Sequence, residues 1–571
     1  MAEKNPDPVH NPAKGPRRHD LDALRAIAML LGICLHAMMP YTGEAWVIMD
    51  NHASRFFFYL VGFIHGFRMQ LFFLVSGFFT AMLASRGGPA GMLKNRAARI
   101  LLPLGICVFT LIPLTKGGDI LALSSTASHP QEPLFRAIKE GDIDRVGKLL
   151  DSGPGNLLET RDLRLKISPL GWAVLWESES LTRYLLELGA RPNEDGSEGF
   201  PPLSIAALLG RLDLMRLLAN YGGDPFAAAQ TGVSPWKAAH LEAGQTRVLI
   251  WLARGEAPED LAVLEKGRQE VRDHLRLLEA NHPGGASLRE QPDMPKTMDG
   301  LPAWVQDYFA WLASDQSAVK IGSLRINLLQ DNFFGHLWFL FFLWWLCLVY
   351  AGLGWLGLAP GSGTVGNIRL LYPGLVLAMF ISFVFQGFMS LDYFPGTIQA
   401  RVGADLSVGL IPKPHVFLYY AVFFFFGCWY HGLRDGDCRL GRCWRAAIPI
   451  AALVLFPLIF ATEGQRLTNS ALQTLYTWLM VLGSIGFAHW LFRKESRAFR
   501  YVADASYWLY LIHLPLVILL EWQLYFLPMP AFLKVILILA VTVPTLLYSY
   551  QVLVRHTVIG RILNGKNPNR A

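Results

Sequence analysis

The stretch Leu21–Tyr41, LDALRAIAMLLGICLHAMMPY, is one apolar run long enough to cross a bilayer, and it carries Arg25 and His36. Eleven residues separate the two, close to three helical turns. Both side chains therefore face one direction, about 16 Å apart along the axis. A cation at one boundary and an imidazole near mid-depth, on a single stripe, are costly in lipid. Ionisable residues so placed face a bundle interior or a wet cavity and mark a functional path. The structural alternative has Arg25 snorkelling to the headgroups and His36 hydrogen-bonded inside a bundle.

The rest of the chain shares this character. Among 571 residues there are 36 Phe and 17 Trp, and only 17% are charged, which describes a polytopic membrane protein. The net charge of +7 is modest, and Lys and Arg gather in short loops between apolar runs. Residues 1–20 form a polar, Pro-rich tail without a cleavable signal, and the arginines before Leu21 favour a cytoplasmic N-terminus. The C-x4-C pair Cys438 and Cys443 lacks His partners, so no metal site is expected. Phosphate-binding loops, HExxH and a serine nucleophile elbow are absent, and no basic-aromatic patch points to nucleic acid.

Hydropathy predicts spans at Leu21–Gly43, Phe56–Ala84, Ala97–Thr115, Phe333–Ala359, Leu370–Leu391, His415–Leu433, Ala446–Ala461, Leu472–Phe492, Ser506–Leu527 and Ala531–Val554. With both termini inside, the basic loops SRGGPAGMLKNRAAR, RDGDCRLGRCWR and RKESRAFR all fall on the cytoplasmic side. A membrane domain in two parts, 21–115 and 331–556, follows, with a basic tail at 557–571.

Between the two parts the chain repeats. PLFRAI, PLGWAV, PLSIAA and PWKAAH begin at Pro133, Pro169, Pro202 and Pro235, spaced by 36, 33 and 33 residues. Each precedes a second apolar helix closed by glycine. Thirty-three residues is the ankyrin period, so residues 127–256 are expected to form four ankyrin repeats, placed outside the cytoplasm by the span count. The scaffold implies a protein partner without identifying one. Residues 257–330 read as a helical linker; within it Trp304, Tyr308, Phe309, Trp311 and Leu312 recur at helical spacing, suiting a membrane-surface helix. The fold class is all-α: about ten transmembrane helices with an inserted solenoid.

Other residues stand out on chemical grounds. Arg68 lies deep in the second span with His65 one turn earlier, and needs an anionic partner or a cavity. Ser76 and Gly77 suit close helix packing. His336 and Trp338 open the fourth span, and His513 sits mid-span before Pro515. Asp504 and Ser506 read as a helix cap.

Several stretches resemble the membrane acyltransferase-3 family: the Arg25–His36 helix with its R-x10-H spacing, MQLFFLVSGFFTAML at Met69–Leu83, and DASYWLYLIHLPLVIL at Asp504–Leu519. GHLWFLFFLWW at Gly335–Trp345 is similar to the glucan-biosynthesis branch of that family. The resemblance covers residues 20–115 and 330–555 and does not explain the repeats. It implies an acyltransferase of the bacterial inner membrane that moves an acyl group from coenzyme A to a glycan hydroxyl outside. Succinyl-CoA or acetyl-CoA would be the donor substrate, with no bound cofactor. His36 would be the general base or carry the acyl group transiently. Arg25 would hold a donor phosphate or thioester, or orient the imidazole. Arg68, His65, His336, Trp338, His513 and Tyr510 are the candidate donor- and acceptor-binding residues.

Two other classes fit part of the pattern. A transporter or channel with an ankyrin domain predicts an internal repeat of spans, which the sequence does not show. A membrane-anchored ankyrin platform leaves the intact Arg25, His36 and Arg68 without a purpose.

Overall fold

The computed structural model describes residues 18–43, 46–127, 132–153, 156–162, 165–193, 200–225, 234–241, 246, 249–250, 253–256, 260–280, 301–313, 318–321, 324–329, 331–361, 367–389, 391, 402–462, 465–492 and 497–564. The N-terminal tail, the linker 281–300, much of the fourth repeat's second helix, the loop segments 392–401 and 493–496, and the tail from 565 lie outside the described residues.

Nine helical runs among the described residues are long and apolar enough to cross a membrane: His19–Tyr41, Arg55–Phe109, Gly335–Trp355, Ile368–Gln386, Pro414–Leu433, Trp444–Ala461, Arg466–Leu491, Arg497–Tyr525 and Ala531–Val554. The second contains two of the expected spans. Gly88 has φ 66 inside it and Pro89 follows, so the helix breaks and the chain turns back there. With that run divided at the break, the described residues hold ten candidate spans.

Glycine permits a backbone-to-backbone contact in the bundle. A Cβ on Gly77 would lie 1.9 Å from the Phe424 carbonyl oxygen, and one on Gly427 would lie 2.0 Å from that of Leu74. The helix Arg55–Arg96 and the span Pro414–Leu433 thus meet backbone to backbone. Ile368–Gln386 and Trp444–Ala461 are peripheral, each only 17% buried in its apolar window. Their exposed Phe380 and Leu453 form the apolar exterior that lipid would cover.

Two expectations for the membrane domain differ from the structure. Asp504 and Ser506 do not cap a helix, because the helix starts at Arg497 and the Ser506 hydroxyl donates to the Ala503 carbonyl inside it. Nor does the membrane domain's first part end at Thr115. A helix over Leu111–Ala127 follows and packs beside Arg497–Tyr525 despite Gly117 and Gly118. Tertiary packing here outweighs the local cost of glycine.

The repeats form helix pairs, Pro133–Glu140 with Ile143–Ser152, Pro169–Leu175 with Glu179–Glu187, and Pro202–Leu208 with Leu212–Asn220, followed by Pro235–His240. Each first helix opens with proline, whose missing N–H costs nothing there. Eight residues later the backbone turns through positive φ at Gly141, Glu177 and Gly210. Glu177 tolerates it because its carboxylate is tied to Arg211 (2.5 Å) and Arg254 (2.6 Å).

The helix Leu261–Ala280, expected as part of a linker, is instead the end wall of the solenoid. Val271 and Leu275 join the repeat core, and buried Arg268 donates to the carbonyls of Ala239 (3.0 Å) and Leu241 (2.5 Å). The helix Ala303–Ala313 buries Val305, Phe309 and Leu312 and leaves Trp304 and Trp311 exposed. A short antiparallel hairpin, Ala318–Ile321 with Leu324–Asn327, is the one sheet among the described residues. The repeats lie at the Tyr41 end of the first span: Lys166 Nζ donates to the Gly43 carbonyl at 3.0 Å, and Ser124 Oγ to that of Gly255 at 2.7 Å.

Candidate active site

A cavity of about 340 Å³ opens within the bundle and is lined by His36, His65, Arg68, His336, Trp338, Tyr510 and His513, together with Trp46, Lys116 and Asp119. Seven of the eight residues singled out in the sequence meet here, from four different spans. Arg25 does not. It sits toward the opposite end of the first span, 3.7 Å from Asp22, with its guanidinium over the Phe79 ring.

Three imidazoles form a row. The rings of His36 and His513 are 5.2 Å apart between centroids, as are those of His513 and His336. Hydrogen bonds fix the protons of two of them. His513 Nδ1 lies 2.8 Å from the Tyr510 carbonyl, which only accepts, so Nδ1 carries the hydrogen and Nε2 keeps a lone pair. That Nε2 is buried without a hydrogen-bond partner. His336 Nε2 likewise donates to the Leu511 carbonyl at 3.0 Å, and the Tyr510 hydroxyl donates to the His336 carbonyl at 2.7 Å. Pro515 explains why the carbonyl of Leu511, its i−4 neighbour, is free to accept from a side chain.

Buried His36 Nδ1 has no hydrogen-bond partner. Its ring packs against two others, His513 and the indole of Trp46, the latter stacked at 5.5 Å and 27°. Arg68 approaches the first span one turn before His36, where Gly32 makes room for its guanidinium. No carboxylate pairs with Arg68 among the described residues, and its Nε is buried without a partner. A guanidinium facing a cavity in this state is able to pair with an anionic group. His65 is partly committed elsewhere, donating from Nε2 to the Ala404 carbonyl at 3.2 Å. Trp338 stacks edge-on with Phe342 and contributes apolar wall.

The bundle's other end carries a second cationic group. Arg96 donates to Thr80 Oγ1 at 2.8 Å, and the charges of Arg25, Arg96 and Arg99 act on one another. In the sequence Arg96 and Arg99 looked like loop charge; their spacing of one helical turn at the start of a span was the available signal. Lys116 and Asp119 were hidden in a stretch read as the start of the hydrophilic insertion. Trp46 follows the first span in a loop that carries no motif. Nothing local marked it.

Comparison with known proteins agrees with this layout. The family model described as "Acyltransferase domain" matches residues 18–120 and 298–550, and one described as "Ankyrin repeats (3 copies)" matches residues 134–228. Glucans biosynthesis protein C of Escherichia coli (strain K12) and that of Shigella dysenteriae serotype 1 are each 38% identical to this chain over 104 residues. Those residues are 18% of this chain and 26% of each relative, so the match spans about a quarter of the curated relatives' length.

Proposed function

The chain belongs to the acyltransferase domain family, and we propose that it moves a succinyl or acetyl group from acyl-CoA to a hydroxyl of a periplasmic or cell-surface glycan. The observation that carries this reading is His36 at the edge of a cavity that also holds an unpaired Arg68 and the free Nε2 of His513.

In the proposed reaction the acceptor hydroxyl gives its proton to an imidazole of the row, with His36 as the base. The hydroxyl oxygen attacks the thioester carbonyl, the C–S bond breaks, and the imidazolium returns the proton to the departing thiolate. Arg68 holds the carboxylate of a succinyl group or a phosphate of the donor, bidentate in either case. The donor enters past Arg25, Arg96 and Arg99, whose fixed positive charge suits the phosphates of coenzyme A. The acceptor approaches from the Tyr41 end.

The membrane arrangement is part of the proposal. With the N- and C-termini cytoplasmic, the three arginines face the pool of acyl-CoA and the repeats face the periplasm of the inner membrane. The hydrogen bonds from Lys166 to Gly43 and from Ser124 to Gly255 support this, since both put the repeats at the end away from Arg25.

Proteoliposomes supplied with succinyl-CoA or acetyl-CoA and a soluble glucan test it. The reading expects thiol release that depends on glucan and on His36, with one donor preferred. Thiol release equal in wild type and His36→Ala would refute it.

A further inference from the structure

The loop that joins the first two spans packs against a buried carboxyl group on the helix Arg497–Tyr525. Glu521 is 1% exposed on the helix Arg497–Tyr525, on the face that presents Leu514, Ile518 and Tyr525 to Ile48 of the loop. One of its oxygens, Oε2, accepts from the indole N–H of Trp46 at 3.1 Å, and the other has no partner. A carboxyl group buried with a single hydrogen bond costs free energy. That bond fixes the indole plane, and the indole is stacked on His36.

His36 itself lacks the hydrogen bond at Nδ1 that ordinarily orients a catalytic imidazole. Its ring packs instead against Trp46 and His513. The loop bearing Trp46 is in turn anchored at three points. Asp50 N–H donates to the Pro40 carbonyl at 3.0 Å, Ser54 N–H to that of Tyr41 at 2.9 Å, and buried Lys534 pairs with Asp50 at 2.6 Å.

We infer that Trp46 is the positioning residue for His36 and that Glu521 acts through Trp46 by locking its indole. Trp46 also covers one face of the His36 ring, so it shields the imidazole on that face. The inference rests on the proposed acyl transfer for its consequence in catalysis, but the shielding itself does not.

The test therefore has two readouts on full-length protein in nanodiscs, for wild type, Trp46→Ala, Glu521→Leu and Glu521→Gln. The first is carbethoxylation of His36 by diethyl pyrocarbonate, resolved by peptide mass spectrometry. It rises severalfold in Trp46→Ala and Glu521→Leu, and returns toward wild type in Glu521→Gln, whose amide oxygen still accepts from the indole. The second is acyl transfer: kcat falls about tenfold in Trp46→Ala and Glu521→Leu with donor KM unchanged, because a misoriented base costs rate without costing binding. His36 labelling equal in all four proteins would overturn the inference. So would a Glu521→Gln as impaired as Glu521→Leu, which would make the carboxylate itself the acting group. Altered labelling with no transfer by any protein would leave the stack standing and remove the acyltransferase reading alone.

Discussion

Arg68 and Gly32 touch across two spans: a Cβ on Gly32 would lie 2.1 Å from Arg68 Nη1. The missing side chain of the first span is the space in which the guanidinium rests, one helical turn before His36. Gly32→Ala should therefore push Arg68 aside while leaving the helix intact. We expect donor affinity to weaken about tenfold, and no further loss when the change is made in an Arg68→Ala background. Steady-state kinetics on the two single variants and the double variant check this; additive losses would show that Gly32 acts on something other than Arg68.

His513 holds its proton on Nδ1 through the Tyr510 carbonyl and offers Nε2 beside His36. Replacing it with alanine removes a proton acceptor from the row and one of the two rings packed against His36. Transfer should fall by about a hundredfold in kcat, within the range of lost acid–base assistance. A His513→Ala protein with wild-type kcat would reduce the row to His36 alone.

The pair Asp50–Lys534 is almost wholly buried, at 2% and 0% side-chain exposure. Lys534→Met leaves a buried carboxylate that keeps its His52 contact but loses its lysine, and should destabilise the protein by about 3 kcal/mol. Asp50→Leu combined with Lys534→Met should recover much of that, since two apolar side chains leave no charge stranded. Thermal unfolding in detergent, followed by intrinsic fluorescence, separates the outcomes: a double variant less stable than Lys534→Met would contradict the account.

In the repeats, burial pushes the Glu177 carboxyl up, but the hydrogen bonds and charges of Arg254 and Arg211 outweigh it and hold it below the usual carboxylate range. A carboxyl depressed on folding contributes stability above its unfolded value, and that contribution is lost as pH falls through the folded one. The contribution is thus fully present at neutral pH and fades in acid. Glu177→Gln should cost about 1 kcal/mol at pH 7 and remove this part of the acid sensitivity. Glu177→Gly should cost less, because glycine relieves the positive φ of 55. Hydrogen exchange of Pro169–Glu187 in the full chain measures both; Glu177→Gly more labile than Glu177→Gln would refute the strain argument.

Much of the fold was legible because its signals are local. Apolar length marks a span, and a 33-residue frame marks an ankyrin repeat whatever surrounds it. The Gly88–Pro89 break between two spans was legible for the same reason. The candidate site was legible only through residues that are expensive where they stand, such as His36 and Arg68 in lipid. Trp46 escaped notice because its meaning lies in a contact across 475 residues, whereas Glu521, an acidic residue inside the span Ser506–Leu527, was a signal that went unread. The end wall Leu261–Ala280 escaped for a related reason. Its charge suggested solvent, whereas Arg268 is buried under carbonyls of the neighbouring helix end, a partnership that no pattern within the segment reveals.

The most direct test of acyl transfer is mass spectrometry of surface and periplasmic glycans from cells carrying wild-type protein, His36→Ala, or neither. The account predicts an increment of succinyl or acetyl mass with wild type alone, with His36→Ala present in the membrane at the wild-type level. Identical glycans from all three strains, with His36→Ala folded and inserted, would contradict it.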